Sequence, residues 1–250
     1  MPERARAALA EVLAREDPAV IGVVLTGSAA RGMATDRSDV DVLVVLADGV
    51  PVPPTRRSTA IDEIPTGIAE LERVPPFGTE DWWFRWQHAW VDVLRDTPDG
   101  RVTAACHRQA TLDDAEQRAL LVEGDRLDGW VNFAYRALKS DRDGRPLERR
   151  LDAAESVAWL LDVVFALGGR VRPYNKYLAW ELREHPLAVP EWSAERLLPQ
   201  LEAVLDGDPE PLRAAYAVVD RECRAWDVAH ATTVLGDLLD GWGDEGAVFG

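Results

Sequence analysis

Two aspartates and a small turn hold the clearest chemistry in this chain. Ser38-Asp39-Val40-Asp41-Val42 places two carboxylates two residues apart among valines. On a strand that spacing turns both side chains to one face. Two such charges repel each other unless a cation stands between them. Ligands made only of oxygen suit Mg2+ or Mn2+ rather than zinc. Upstream, Val23-Val24-Leu25-Thr26-Gly27-Ser28 runs from an apolar strand into a Gly-Ser turn. A glycine lets a phosphate approach the backbone, a helix start favours an anion, and the Ser28 hydroxyl adds a hydrogen bond. A phosphate cradle facing a two-carboxylate metal site is what phosphoryl or nucleotidyl transfer requires. A third carboxylate is expected at Asp92, in Trp90-Val91-Asp92-Val93-Leu94. A charge between apolar strand residues needs a partner. Asp92 would be either a third metal ligand or the base that takes a hydroxyl proton. Glu80 and Asp81, just before that strand, compete for the role.

The elements that must position these groups divide into two textures. In the first half, residues 3–15 carry apolar positions at helical spacing, and Asp17-Pro18 ends that helix. Residues 20–25 read as a strand, 28–33 as a short helix, 34–38 as a polar loop and 39–46 as a second strand. Six prolines make 48–60 and 62–78 loop-rich, with at most a short helix over 66–73. Residues 88–95 are a third strand candidate. The turn Thr97-Pro98-Asp99-Gly100 suggests a hairpin returning over 101–106. From Thr111 onward the pattern is helical, at 112–122, 125–140, 147–167, 175–185, 194–206, 209–226 and 229–240. The expected fold is α+β. An α/β catalytic domain with a small mixed sheet spans residues 1–110, and an all-α helical bundle spans residues 111–250.

The run Gly27-Ser28-Ala29-Ala30-Arg31-Gly32 followed by Ser38-Asp39-Val40-Asp41 resembles the polymerase-β-type nucleotidyltransferase superfamily. The order of domains looks like that of the two-domain antibiotic nucleotidyltransferases, including the aminoglycoside enzymes. The resemblance implies that AMP moves from ATP, the co-substrate, to a hydroxyl of a small acceptor, with Mg2+ or Mn2+ as cofactor and pyrophosphate as the second product. It makes Asp39, Asp41 and Asp92 the catalytic and metal residues. Gly27, Ser28, Arg31 and Ser38 become nucleotide contacts, although Arg31 in such a string usually braces the loop. Lys176 and Tyr177, in the helical half, are further nucleotide-binding candidates. The other readings are a surface lysine and a core tyrosine. Asp152 and Glu155, three apart on one helix, are either a solvated edge or a site for substrate amines. Two alternatives to a small acceptor stay open: AMPylation of a protein, and a nucleotide-binding regulator without transfer activity.

Composition narrows the partners. Of 250 residues, 28 are basic and 44 acidic, giving a formal net charge of −16. That disfavours a broad nucleic-acid grip and is compatible with a cationic acceptor such as an aminoglycoside. Cys106 and Cys223 form no disulfide framework or ligand cluster, as expected of a cytoplasmic chain. No apolar run reaches the length of a membrane span, and the N-terminus lacks the apolar stretch of a secretory signal. Either a monomer or a homodimer is compatible with the sequence.

Overall fold

The computed structural model describes residues 2–243 and 247–249. Two compact units divide the chain, residues 1–111 and 112–250. The first contains a mixed five-stranded sheet, and the second is helical.

In the first unit, α1 (Glu3–Leu13) leads into β1 (Val20–Thr26), the single turn α2 (Gly27–Ala30) and β2 (Val40–Leu46). Then come β3 (Arg56–Arg57), β4 (Ile61–Gly67), α3 (Ile68–Glu72), α4 (Glu80–Phe84), β5 (Asp92–Arg95) and α5 (Arg101–Ala110). The strand order is β3-β4-β2-β1-β5. β1 runs antiparallel to β2 and β5, whereas β2 runs parallel to β4. β1 and β2 read as nearly continuous apolar runs because both sheet faces are covered. On one face Val23, Leu25, Val40, Val42 and Ile61 pack with Ala5 and Val12 of α1. On the other, Val24, Leu43 and Val45 pack with Ile68 and Leu71 of α3 and with Val102, Ala105 and Cys106 of α5.

Three expectations fail here. Residues 61–67 form a strand rather than a loop. β4 tolerates Pro65 because β3 pairs only with Asp62 and Glu63, so at Pro65 the outer edge needs no N–H donor. Residues 101–110 form a helix rather than a hairpin return. Val102, Ala105, Cys106 and Gln109 are buried at helical spacing. The Asp96 carboxylate accepts from the backbone N–H groups of Val102 and Thr103, satisfying donors of the first turn. The third strand is also shorter than 88–95, because Arg85–His88 is a 3-10 turn.

The second unit runs through α6 (Asp114–Arg118), continued by a π turn over Ala119–Glu123, then α7 (Arg126–Arg142), α8 (Pro146–Leu167) and α9 (Leu178–Glu184). It ends with α10 (Ala194–Leu205), α11 (Glu210–Ala229) and α12 (Val234–Asp240). α8 packs against α7, α10 and α11. Its residues 160–166 are buried on every side, as in the central helix of a bundle. Asp162 lies within that run and is ion-paired with Arg126 at 3.5 Å and Arg172 at 3.2 Å. No helix among the described residues is long and apolar enough to cross a membrane.

Candidate active site

The site forms where β1 ends and where β2 and β4 begin. Thr26 pairs with Asp41 across the antiparallel ladder. Gly27 follows with φ +65°, in the left-handed region. A Cβ at Gly27 would overlap the Asp41 Oδ2. The glycine is therefore required twice, by its dihedral and by the carboxylate lying against its Cα. Ser28, the next residue, is half-buried, and α2 is only one turn long. Asp39 lies immediately before β2 and is exposed, while Asp41 is half-buried.

Register decides which third carboxylate joins them. Asp41 pairs with Asp62 in the parallel ladder, so both side chains lie on one sheet face. The ladder confirms the alternation. Val40 and Ile61, one step back, lie on the α1 face, and so does Glu63, one step on, whose carboxylate Arg15, just beyond α1, grips with two hydrogen bonds. Asp92 instead pairs with Leu25, the neighbour of Thr26 on β1. It is exposed on the face opposite Asp41, while Val91 and Val93 turn toward the α5 side. The structure thus corrects the expectation for Asp92 and brings Asp62 to Asp41 instead. A signal for Asp62 existed in Ala60-Ile61-Asp62-Glu63-Ile64, an acid within an apolar run, but Pro65 argued against a strand.

Arg31 and Ser38 are engaged within their own loop and its neighbours. The Arg31 side chain is 4% exposed and donates to the carbonyls of Gly27 (2.6 Å), Ala89 (2.5 Å) and Gln87 (3.3 Å). Its guanidinium lies 4.2 Å from the centre of a Trp86 ring. Arg31 therefore braces the Gly27 turn against the 85–89 segment and is spent on backbone rather than phosphate. The Ser38 hydroxyl accepts from the Thr35 N–H at 2.9 Å and closes its own loop.

In the second unit, Lys176 is exposed, with its ammonium 4.6 Å from the centre of the Tyr177 ring. Tyr177 itself is 3% exposed, so its ring offers no open face to a base. Asp152 is ion-paired with Arg136, whose side chain is more than half exposed, at 3.3 Å. Glu155 is exposed.

Among the described residues, no three His, Cys, Asp or Glu side chains form a closed metal-binding group. The donor set Asp39, Asp41 and Asp62 nevertheless fits Mg2+ by its chemistry. That ion usually takes one or two carboxylates and completes its shell with water and substrate phosphates. Asp62 is ion-paired with Arg57 at 3.6 Å, whose side chain is 79% exposed, so the pairing is weak and replaceable.

Residues 6–95 match the family model described as the nucleotidyltransferase domain. No curated protein matches. Among solved structures, the chain is similar to a nucleotidyltransferase-like protein from Exiguobacterium sibiricum 255-15. The identity is 15%, the alignment covers 98% of this chain and 91% of that one, and the TM-score is 0.35. Such a distant likeness carries no argument. The family match does, because its span takes in the Gly27-Ser28 turn, both aspartates of the Asp-x-Asp segment and Asp62. The match of residues 6–95 to the nucleotidyltransferase domain supports reading this chain as a nucleotidyltransferase.

Proposed function

We propose that this enzyme moves AMP from ATP to a hydroxyl of a small, cationic acceptor such as an aminoglycoside, with Mg2+ or Mn2+ as cofactor. The reading rests above all on the Asp41 carboxylate packed against Gly27, with Ser28 following and Asp62 in register. Residues 1–110 would carry the chemistry, and the helical residues 111–250 would serve substrate binding. The Gly27 turn and the Ser28 hydroxyl hold the β- and γ-phosphates. Asp39, Asp41 and Asp62 hold the metal. A bound divalent ion neutralises phosphate charge and stabilises the attacking and leaving oxygens. The acceptor oxygen bonds to the α-phosphorus, the bond from that phosphorus to pyrophosphate breaks, and the hydroxyl proton passes to a carboxylate, for which Asp62 is the candidate. The net charge of −16 supports a cationic acceptor.

The test supplies labelled ATP and Mg2+ with a panel of aminated hydroxyl compounds and, separately, a cell lysate. Label on a small molecule with release of pyrophosphate is the expected result. Label on protein would replace the acceptor with a protein. ATP binding in calorimetry with no label on either class of acceptor would leave a nucleotide-binding regulator without transfer activity. Asp39→Ala and Asp41→Ala should each lower pyrophosphate release at least about 100-fold, the usual scale for removing a preorganised electrostatic group.

A further inference from the structure

The 3-10 turn Arg85–His88 joins two parts of the first unit. On one side it meets the Gly27 turn. α2 is a single turn with no side-chain cap, so its support comes from outside it. The Thr26 hydroxyl donates to the Gln87 carbonyl at 2.6 Å, and Arg31 donates to the carbonyls of Gln87 at 3.3 Å and Ala89 at 2.5 Å. The buried Trp86 ring lies against the Arg31 guanidinium. Trp90 then leaves the segment at φ +54°. A bulky residue keeps that conformation only where its surroundings impose it.

Carbonyls can hold the Gly27 turn only as firmly as their own segment is held. Arg85 supplies that hold. It is 1% exposed, and it donates from Nε to the Gln109 carbonyl at 2.9 Å and from Nη2 to the carbonyls of Arg108 at 3.2 Å and Thr111 at 2.7 Å. These carbonyls lie at and just beyond the end of α5, where the helix cannot pair them itself. The guanidinium carbon is 4.5 Å from the centre of a Trp82 ring. A planar fork spreads its donors over separate carbonyls, whereas an ammonium holds all three on one atom. α5 is fixed in turn to the sheet by Val102, Ala105 and Cys106. The Gln109 amide donates to the carbonyls of Leu71 at 2.8 Å and Arg73 at 2.9 Å, which ties the same helix end to α3. The segment is therefore held to the core by Arg85, and the Gly27 turn is held to the segment by Arg31 and Thr26.

We propose that Arg85 is a positioning residue for the Gly27 turn. By tying the 85–89 segment to the end of α5 it fixes the carbonyls that hold the turn, and through them the affinity of the turn for a nucleoside triphosphate. Arg85 itself touches neither the turn nor the phosphates. The proposal rests on the nucleotidyl-transfer reading for what the turn binds.

The test uses the full chain and two variants. Arg85→Lys keeps the charge and loses the fork. Trp82→Phe leaves the fork intact and shrinks the ring against it, so it is the milder change and decides the matter if Arg85→Lys does not fold. Hydrogen exchange read by mass spectrometry, without ligand, compares residues 26–32, 108–111 and 43–46. Calorimetry then measures the binding of ATP with Mg2+. Arg85→Lys is expected to speed exchange at 26–32 as well as at 108–111, to leave 43–46 as in the wild type, and to weaken ATP binding about tenfold. Trp82→Phe should shift the same quantities a few-fold. A purely structural role gives faster exchange confined to 108–111 or spread evenly through the first unit, with ATP affinity unchanged where the variant is folded. Any of those results overturns the proposal. The two readings fail separately. Faster exchange at 26–32 in a chain whose wild type binds no ATP supports the positioning of the turn and sinks the transfer reading. Unchanged exchange at 26–32 in a chain that binds ATP and transfers AMP sinks the positioning role alone.

Discussion

Gly27 carries more of the site than its size suggests. Alanine there would drive a Cβ into the Asp41 carboxylate and force a side chain into φ +65°. Gly27→Ala is expected to cost about 1–3 kcal/mol, a drop of several degrees in Tm, and to displace Asp41. A melting temperature and pyrophosphate release equal to wild type would contradict that packing. The sharper residue-scale prediction concerns the third carboxylate. Asp62→Asn should lower pyrophosphate release at least about 100-fold, while Asp92→Asn should leave it near wild type. The reverse pattern would restore Asp92 and refute the assignment by register. Both aspartates sit between or beside apolar residues in the sequence, so composition alone cannot rank them. The ladder can, because a one-residue offset moves a side chain to the opposite face.

At the scale of elements, α5 depends on a carboxylate outside it. Asp96 accepts from the N–H groups of Thr97, Val102 and Thr103 and from the Thr103 hydroxyl. Burial alone would raise its pKa, but these hydrogen bonds together outweigh it and hold the carboxyl below its ordinary value of 3.8. A depressed folded-state pKa gives stability that is complete above the ordinary value and disappears as pH falls through the lowered one. Asp96→Ala should therefore cost about 1–2 kcal/mol near neutrality, on the scale of a lost helix cap, and the deficit should shrink in acid below about pH 4. Denaturation followed by circular dichroism across that range checks it, and a deficit unchanged by acid would refute it. The helix itself was legible in the spacing of Val102, Ala105, Cys106 and Gln109, but the strong turn at 97–100 suggested a hairpin. A turn signal reports only that the chain reverses or changes element. It leaves the type of the next element open.

For the molecule as a whole, the excess of acidic residues is a source of self-repulsion. Raising the salt concentration from about 10 mM to about 150 mM shortens the Debye length from roughly 30 Å to roughly 8 Å. The melting temperature should rise over that interval, and a fall would mean that attractive ion pairs outweigh the net charge of −16. One contact should respond to pH in the opposite sense from Asp96. His230 stacks on Trp226, shares a 2.7 Å contact with its carbonyl, and lies 3.3 Å from the Asp114 carboxylate of α6. The Trp226 carbonyl first, then Asp114, raise its pKa above the ordinary 6.5. That contribution is complete below the ordinary value and is lost as pH rises through the elevated one. The wild type should exceed His230→Gln in melting temperature by more at about pH 6 than at about pH 8. An equal difference at both would assign the residue to packing alone.

The sequence by itself determined the parts that local chemistry fixes. The Gly-Ser turn, the Asp-x-Asp strand, the apolar runs of β1 and β2 and the helical second half are all set by spacing and side-chain type over a few residues. Tertiary structure decided what depends on neighbours distant in the chain. It admitted Pro65 to a strand whose outer edge needs no donor there, and it chose Asp62 over Asp92 by ladder register. It spent Arg31 on three carbonyls. The physical reason is common to all of these. Strand pairing and burial are long-range, and a side chain's role depends on the face and partners that pairing assigns to it.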